Sequence, residues 1–398
     1  MDKLEALLSS GPDVSESSIF SEGILASIGN TPLLEIRSFS NATGCQILAK
    51  AEFLNPAGSI KDRAALRIVA EAEATGLLVP PSGSWKAGGK ASAIKDDEKT
   101  ANMKETDKSN TGNESNLSTP TYTIIEGTGG NTGIGLAMVA AARGYHCHVF
   151  APENCSAEKI AATRLYGGTV TVCPLVPFED PAHFYQRTAA HAVGTPHTFW
   201  GNQFESLANA RAHASTTGPE VWRQTGGNVD AIALSSGTGG TLAGLSLFLK
   251  SRNPKLQAYL VDPQGSSLRS YVQQGTMDVL CPGKTIAEGI GINRITANFA
   301  AATVDGAVSV DDRELVAAAH YLLKREGLCV GPSAALNLCG AVKLARKMGP
   351  GHTIVTILCD GGERYASKLF NKEWLKEKGF DTTVELVDAC RDHADFVE

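Results

Sequence analysis

The segment Asn55-Pro56-Ala57-Gly58-Ser59-Ile60-Lys61-Asp62-Arg63 is the part of the sequence that decides the fold. Its proline and first glycine predict a turn that ends the apolar run at residues 47–51. Its serine, Ser59, then suits the N-cap of a helix whose apolar residues recur at helical spacing up to Ala72. Lys61 therefore falls in the first turn of a predicted helix.

Lys61 occupies an unusual position for a solvated lysine. The partial positive charge at a helix N-terminus disfavours a cation there. The same position favours a lysine whose amine must lose its charge, as a lysine that forms a Schiff base does. An ordinary surface lysine is the alternative that this segment alone leaves open.

The composition is that of a globular enzyme large enough for two lobes. The chain has 398 residues, of which 42% are apolar and 20% charged, and it contains no run of 18 apolar residues, so no membrane span is expected. Its net charge of −6 is concentrated at residues 1–22 and 381–398. The remainder carries no basic stripe, so nucleic acid is not an expected partner.

The cysteines and the N-terminus predict a cellular location. Nine cysteines occur without a Cys-x-x-Cys pair, which favours buried thiols in a reducing compartment over disulfides or a zinc site. The acidic N-terminus is unlike a transit peptide and has no secretory apolar region. We expect a cytoplasmic protein, without excluding association with mitochondria. His146 and His148 share one face of a predicted strand but have no third ligand, so no metal is expected.

Strands and helices alternate along the chain, which predicts mostly parallel sheets with helices on both faces. The predicted strands are 122–126, 147–151, 169–173, 230–234, 257–261 and 353–358. The predicted helices include 157–166, 206–225, 242–250, 311–326 and 333–347. We therefore predict an α/β protein of two similar lobes, at 23–200 and 201–375, between acidic tails at 1–22 and 376–398.

Residues 81–119 differ from the rest of the N-terminal lobe. The segment has few large apolar side chains, and its six lysines balance six acids. Such a segment cannot bury enough apolar surface to offset the entropy lost on ordering, so we predict a disordered insert. A lid or docking loop is the alternative.

Two glycine-rich segments each follow a predicted strand and open a predicted helix. In Ser235-Ser236-Gly237-Thr238-Gly239-Gly240-Thr241, small residues let successive N–H groups converge on an anion at a helix N-terminus. The other segment is Glu126-Gly127-Thr128-Gly129-Gly130-Asn131-Thr132-Gly133. Both lack the dinucleotide-binding fingerprint, which weighs against a nicotinamide dehydrogenase, and the first lacks the lysine of a P-loop. Taken alone, either could be a tight turn without a ligand.

Several segments, in the same order along the chain, resemble the pyridoxal-phosphate-dependent cysteine synthase and cystathionine β-synthase family. The acidic tails and the insert are most similar to the divergent fungal cysteine synthase branch. This resemblance implies the two-lobed fold of the tryptophan synthase β-subunit type (fold type II). The segments are 23–34, 55–63, 126–133, 202–204, 217–222, 237–241, 288–291, 331–335 and 360–365.

The resemblance also implies roles for individual residues. Lys61 would hold pyridoxal 5′-phosphate, be displaced by the substrate amine and remove the Cα proton. The cofactor phosphate would be held by Gly237, Thr238, Gly239, Gly240 and Thr241. Asn131 would bond the cofactor 3′-hydroxyl, and Ser333, which could equally be an N-cap, its pyridine nitrogen. The substrate carboxylate would be bound by Thr128, Gly129, Asn131, Thr132 and Gln203.

Gly129 and Gly361 depart from the family, which usually has serine at both positions. A missing hydroxyl at Gly129 predicts weaker carboxylate binding, and the glycine would leave room for a bulkier substrate. Gln203 could also be a solvated surface amide.

The activity implied is β-replacement on an O-activated L-serine: O-acetylserine and sulfide would give L-cysteine and acetate, and the protein would be a homodimer. A β-eliminating desulfhydrase or dehydratase is one alternative. A non-catalytic, pyridoxal-phosphate-binding regulatory protein is the other.

Overall fold

The computed structural model describes residues 3–12, 23–81 and 121–380. The predicted disordered insert lies outside these residues except for Pro81, as do most of the two predicted tails. Within the N-terminal tail, helix α1 (Lys3–Ser9) buries Leu7 against Ala210 and Leu247, which lie in the second half of the chain. None of the helices in the described ranges is long and apolar enough to cross a membrane.

Ten strands are present in the described part of the chain. They are β1 (Leu33–Glu35), β2 (Gln46–Ala51), β3 (Thr123–Gly127), β4 (His146–Pro152), β5 (Thr169–Cys173), β6 (Thr198–Trp200), β7 (Ala231–Ser235), β8 (Gln257–Pro263), β9 (Gly306–Val310) and β10 (Thr353–Leu358). A six-stranded sheet has the order β1-β2-β10-β7-β8-β9, and a four-stranded sheet the order β5-β4-β3-β6. Every neighbouring pair is parallel except β1 and β2.

Helices connect and cover these strands. Those in the described ranges after α1 are α2 (Arg37–Thr43), α3 (Lys61–Ala74), α4 (Asn131–Arg143), α5 (Ala157–Leu165), α6 (Phe184–Gly194), α7 (Ala208–Ala212), α8 (Gly218–Gln224), α9 (Gly240–Arg252), α10 (Leu268–Gln274), α11 (Ala297–Ala301), α12 (Asp312–Tyr321), α13 (Pro332–Met348) and α14 (Lys372–Glu377). π-helical turns at His213–Thr217 and Leu322–Glu326 extend α7 and α12. Short 3₁₀ turns occur at Gly23–Ser27, Glu52–Leu54 and Gly362–Tyr365.

The larger sheet is buried on both faces. Neighbouring residues of β10 alternate between two apolar clusters, with Ile354 in one and Val355 in the other. The first cluster contains apolar residues of α13, and the second contains Leu242 and Leu245 of α9. The predicted architecture, two mostly parallel sheets with helices, is therefore confirmed.

The sheets do not follow the chain division predicted at residues 200 and 201. β1 and β2 precede the four-stranded sheet in the chain, yet they pair with strands of the second half. The physical reason is that β2 is buried from Ile47 to Ala51, and all of these residues except Lys50 are apolar. It therefore needs neighbours on both sides, and β10 supplies one of them, with Gln46 opposite Thr353.

The parallel arrangement brings three connecting loops to one edge of the larger sheet. β2, β10 and β7 are adjacent, so the segments that follow them begin side by side. These segments lead to Lys61, to Asp360 and to the glycine loop at 236–239. Ligands of open α/β sheets bind at the carboxyl ends of the strands.

Candidate active site

A cavity of about 620 Å³ lies at this edge, with walls from segments of both sheets. All but one of the site residues predicted from the sequence line it. They are Lys61, Thr128, Gly129, Asn131, Thr132, Gln203, Gly237, Thr238, Gly239, Thr241 and Ser333. The exception is Gly240, which lies behind the wall, where an added Cβ would be 2.2 Å from Oδ1 of Asn209.

Lys61 is the first residue of α3, in the helical turn that the sequence predicted. The predicted N-cap is wrong by one residue, because Ile60 occupies that position and no side chain caps the helix. Ser59 instead pairs its backbone with Asp360 in an isolated β-bridge. Its hydroxyl still accepts a hydrogen bond of 3.2 Å from the N–H of Lys61.

The environment of Lys61 favours a neutral amine. Burial lowers the pKa of Lys61, and the nearby Cys359 and Asp360 only partly oppose this effect. A neutral lysine amine can form a Schiff base and accept a proton. The partial positive charge at the helix N-terminus, considered in the sequence analysis, acts in the same direction.

The glycine loop between β7 and α9 has the shape of an anion cradle. A Cβ on Gly237 would be 1.9 Å from the carbonyl oxygen of Gly289, so only glycine permits this approach. Gly239 has φ of +87°, and a Cβ there would be 2.5 Å from the backbone of Phe299. Among the described residues, none accepts a hydrogen bond from the N–H groups of Gly237, Thr238 or Gly239. These donors fit the phosphate of the expected cofactor.

Two buried residues behind this loop were missed by the sequence analysis. Nδ2 of Asn209 donates to Oγ1 of Thr238 over 2.9 Å and to the carbonyl of Gln203 over 3.0 Å, which joins the two halves of the site. Nε2 of His213 lies 3.2 Å from Oγ1 of Thr241. Burial, helped by neighbouring cations, lowers the pKa of His213 to about 3, so its ring is neutral. Both lie within the predicted helix 206–225, where nothing in the sequence distinguishes them from other helical residues.

The polar groups of the glycine-rich loop at 126–133 are already oriented by contacts within the protein. Oγ1 of Thr132 donates to Oε1 of Gln203 in a short hydrogen bond. This contact fixes the amide of the buried Gln203, and no acceptor within the described ranges takes its Nε2. The N–H of Gln203 donates to Glu126 over 3.4 Å. Gln203 is therefore buried rather than a solvated surface amide, and its amide N–H groups are available to a carboxylate.

Gly129 has less space around it than the sequence suggested. A Cβ on Gly129 would lie 2.9 Å from Cγ of Pro152 and 3.6 Å from Cβ of Cys155. The expectation of room for a bulkier substrate at this point is therefore wrong. The thiol of Cys155 also donates to the carbonyl of Gly129 over 3.2 Å, so Pro152 and Cys155 fill the position next to the glycine.

Ser333 lies in the first turn of α13, on the cavity wall. It is not the N-cap, which is Gly331; Pro332 is the first residue of the helix and leaves no N–H unpaired there. One turn later, Asn337 accepts from the N–H of Ser235 over 2.7 Å and donates to the carbonyl of Ile357 over 2.9 Å. This residue fixes α13 against the ends of β7 and β10.

Asn131 is held by charged groups at both ends of its amide. Nδ2 donates to Oδ2 of Asp360 over 2.7 Å, and Oδ1 accepts from Nη1 of Arg364. Tyr365 donates its hydroxyl to the same carboxylate oxygen over 2.7 Å. The sequence analysis identified the segment 360–365 only by its resemblance to the family and assigned no chemical role to its residues.

Ion pairs connect the two sheets beside the cavity. Glu288, in the glycine-rich segment predicted to line the site, accepts from Nζ of Lys159 over 2.7 Å and from Nζ of Lys368 over 2.5 Å. Lys159 belongs to α5, which follows a strand of the smaller sheet, so the contact joins the two sheets. Within the described ranges, no group of three or more histidine, cysteine, aspartate or glutamate residues is placed to hold a metal ion.

Comparisons with known proteins agree with this geometry. A sequence model described as pyridoxal-phosphate dependent enzyme matches residues 24–360. The chain is 42% identical over 374 residues to Cysteine synthase 1 of Emericella nidulans, an alignment that spans 93% of this chain and 90% of the relative. It is 41% identical over 372 residues to Cysteine synthase of Dictyostelium discoideum, spanning 91% and 88%.

A solved structure shares the fold. The crystal structure of the O-acetylserine dependent cystathionine beta-synthase from Helicobacter pylori matches with a TM-score of 0.69 and 28% identity, over 89% of this chain and 98% of that chain. The resemblance seen in the sequence, including that to fungal cysteine synthases, is confirmed. The chain belongs to the family of pyridoxal-phosphate-dependent enzymes.

Proposed function

We propose that this protein is a pyridoxal-phosphate-dependent cysteine synthase, which converts O-acetyl-L-serine and sulfide to L-cysteine and acetate. The observation that carries the proposal is the cavity itself. It places a lysine of lowered pKa next to a glycine cradle with unpaired donors and a pre-oriented polar loop. The names of the relatives point to cysteine as the product and that of the solved structure to O-acetylserine as the substrate. Sulfide is the nucleophile that converts this substrate into this product.

The residues present fit the cofactor. The N–H groups of the 236–239 loop would hold its phosphate, Lys61 would hold it covalently, and Ser333 would face its ring nitrogen. Pyridoxal phosphate, when bound, supplies the electron sink that stabilises negative charge on the substrate α-carbon. A neutral hydroxyl such as Ser333 leaves the ring a weaker sink, which favours replacement at the β-carbon.

The chain's own groups perform the remaining tasks. Nε2 of Gln203, the loop N–H groups and the hydroxyl of Thr128 bind the substrate carboxylate. The single O–H of Thr132 is used to orient the amide of Gln203. Nζ of Lys61, whose pKa is lowered by burial, removes the proton from Cα and later returns it. Acetate departs with the electron pair of the Cβ–O bond, and sulfide supplies the pair for the new Cβ–S bond, so the atoms and charges balance.

The test is steady-state product analysis with the purified, cofactor-loaded protein. With O-acetylserine and sulfide, we expect cysteine and acetate in equal amounts. Pyruvate and ammonia formed without sulfide would show a β-eliminating enzyme instead. Bound cofactor without any turnover would show a regulatory protein.

Lys61→Ala tests the central residue of this proposal. The variant should fold, lose covalent cofactor and lose at least about a hundred-fold in turnover, as expected for a missing general base. Reduction with borohydride followed by peptide mass spectrometry should label Lys61 in the wild type. Lys159→Gln is the matched control, because Lys159 also lines the cavity, and it should still be labelled at Lys61.

We also propose that the protein is a cytoplasmic homodimer, on the basis of its resemblance to the family. Light scattering of the purified full chain measures the mass, and fluorescence of a tagged chain in its own cells measures the location. A monomer, or accumulation of the tagged chain in mitochondria, would contradict these two statements.

A further inference from the structure

The amide of Asn131 is oriented by two opposite charges. Arg364 donates to its oxygen and Asp360 accepts from its nitrogen. A flipped amide would place an N–H against the guanidinium and an oxygen against the carboxylate, so only one orientation is stable. Both charged groups are screened from water, since Asp360 is fully buried and the side chain of Arg364 is 11% exposed.

Only half of the donor capacity of Asn131 is used in this arrangement. A side-chain amide nitrogen carries two hydrogens, and Asp360 accepts one of them. Asn131 lines the cavity, so the second hydrogen is available to a ligand there. A guanidinium on the oxygen end draws electron density through the amide, which makes the remaining N–H a stronger donor.

Asp360 and Arg364 are themselves fixed to the segment that carries Lys61. Nη2 of Arg364 donates to the carbonyl of Ala57, in the turn before Lys61. The backbone of Asp360 bridges to Ser59 in the same turn. Burial, followed by the charge of Asp360, raises the pKa of Tyr365 well above its ordinary value, so its hydroxyl stays a donor to Asp360. The orientation of Asn131 is thus set relative to the cofactor lysine.

We propose that Asp360 and Arg364 are positioning residues that aim and polarise Asn131 toward the 3′-oxygen of the bound cofactor and thereby hold that oxygen deprotonated. This inference rests on the proposed function, since it requires pyridoxal phosphate in the cavity. When pyridoxal phosphate is linked to a lysine, one proton can lie on the linking nitrogen or on the 3′-oxygen. The first form absorbs visible light, and the second absorbs in the near ultraviolet. A strong donor at the oxygen favours the first form.

Arg364→Gln tests the inference by absorption spectroscopy of the cofactor-loaded protein at fixed pH. We expect a smaller visible band, a larger near-ultraviolet band and cofactor affinity lower by about ten-fold, the effect of weakening one hydrogen bond to a charged group. Arg364→Lys should recover part of the visible band, because it keeps the positive charge. Lys368→Gln is the matched control: Lys368 lies in the same segment but contacts Glu288, and its loss should leave the spectrum unchanged.

A double-mutant cycle separates positioning from a general loss of structure. Asn131→Ala should reduce the visible band, and adding Arg364→Gln to that variant should change it no further. Fully additive spectral effects, or an unchanged spectrum in Arg364→Gln, would overturn the inference. An unchanged spectrum in Asn131→Ala would also overturn it, yet borohydride labelling of Lys61 would still support the proposed function. If Arg364→Gln does not fold, Arg364→Lys provides the comparison, because its visible band should be smaller than that of the wild type.

Discussion

Among single residues, Gly129 gives the most direct test of substrate binding. Gly129→Ala should raise the KM for O-acetylserine several-fold, because the methyl group would lie 2.9 Å from Cγ of Pro152 and must displace that ring. Gly129→Ser adds the same bulk and also a hydroxyl that can bind the substrate carboxylate. We therefore expect the serine variant to have a KM about ten-fold lower than the alanine variant.

The measurement is cysteine formation at fixed sulfide for the wild type and both variants. Comparison with alanine isolates the hydroxyl, since the crowding is common to both. A serine variant no better than the alanine variant would mean that this loop does not grip the carboxylate of O-acetylserine. Normal cofactor spectra in both variants confirm that the cofactor site is intact.

Glu126, which lies fully buried at the end of β3, makes stability depend on pH. Burial raises the pKa of Glu126 from 4.5 to about 8, although backbone N–H groups partly oppose this. The folded protein therefore holds this proton more tightly than the unfolded chain, and the group's contribution to stability falls as pH rises through that interval.

Glu126→Gln should remove this decrease in stability with rising pH. Relative to the wild type, its free energy of unfolding should rise by up to about 1.4 kcal/mol per pH unit between about pH 5 and 8. Urea unfolding across this interval measures the difference. Glu179→Gln, on an exposed glutamate, is the control for removing one negative charge and should show no such trend.

At the scale of elements, the β7–loop–α9 unit depends on the backbone of Gly239. Gly239→Ala should lower cofactor affinity by at least about ten-fold, because its Cβ would lie 2.5 Å from the backbone of Phe299 and the loop N–H groups would have to move. Gly275→Ala is the matched control. It shares a positive φ of +73°, but an added Cβ there meets no atom within 4 Å.

Equilibrium titration with pyridoxal phosphate measures the affinity of both variants. The left-handed conformation alone costs a non-glycine residue about 1–2 kcal/mol of stability, so both should be less stable. Only Gly239→Ala should also lose affinity. Equal affinities would show that the loop does not hold the phosphate.

Elements with a strong local pattern could be predicted from the sequence, and those without one could not. Strands β5 and β10 match their predicted bounds, because each is a run of β-favouring residues between clear turns. The three-residue β6 and the strand β9 were missed, since such short or polar-flanked runs carry little periodicity. Helix 206–225 was predicted as one unit, but its π-helical turn, which contains His213, was not.

The residues of the candidate site also divide into those that a local pattern predicts and those that it does not. Site residues that lie close together in the sequence, such as Thr128 and Thr132, were predicted because their loop resembles a known motif. Asn209 and Arg364 were not, because each reaches the site only through folding. Arg364 is 233 residues from Asn131 in sequence, and no local pattern encodes that contact.

At the scale of the whole molecule, a buried ion network joins distant parts of the chain close to Lys61. Arg63 on α3 pairs with Glu52 and Glu220, each over 2.7 Å, and Lys50 pairs with Glu220 over 2.7 Å. All four side chains are at most 7% exposed, so each charge depends on its partners. The network connects β2, α3 and α8.

Arg63→Met should destabilise the protein by about 3–5 kcal/mol, because it leaves the buried Glu52 without a cationic partner and Glu220 with Lys50 alone. Thermal or urea unfolding measures the loss. Adding Glu52→Gln to Arg63→Met should recover part of the lost stability, because it removes the unpaired charge of Glu52. If the double variant were less stable than Arg63→Met, the destabilisation would come from lost packing and not from unpaired charge.

The place of β10 in the larger sheet determines when the protein can fold. It lies between β2 and β7, so Thr353 pairs with Gln46, 307 residues earlier in the chain. During synthesis, β2 can pair with β1 on one edge, but its other edge therefore stays unfilled until β10 has been synthesised. Such long-range pairing is slow and exposes strand edges to aggregation. A nascent chain that stops before residue 353 cannot close the sheet, and so it can neither build the cavity nor capture a cofactor.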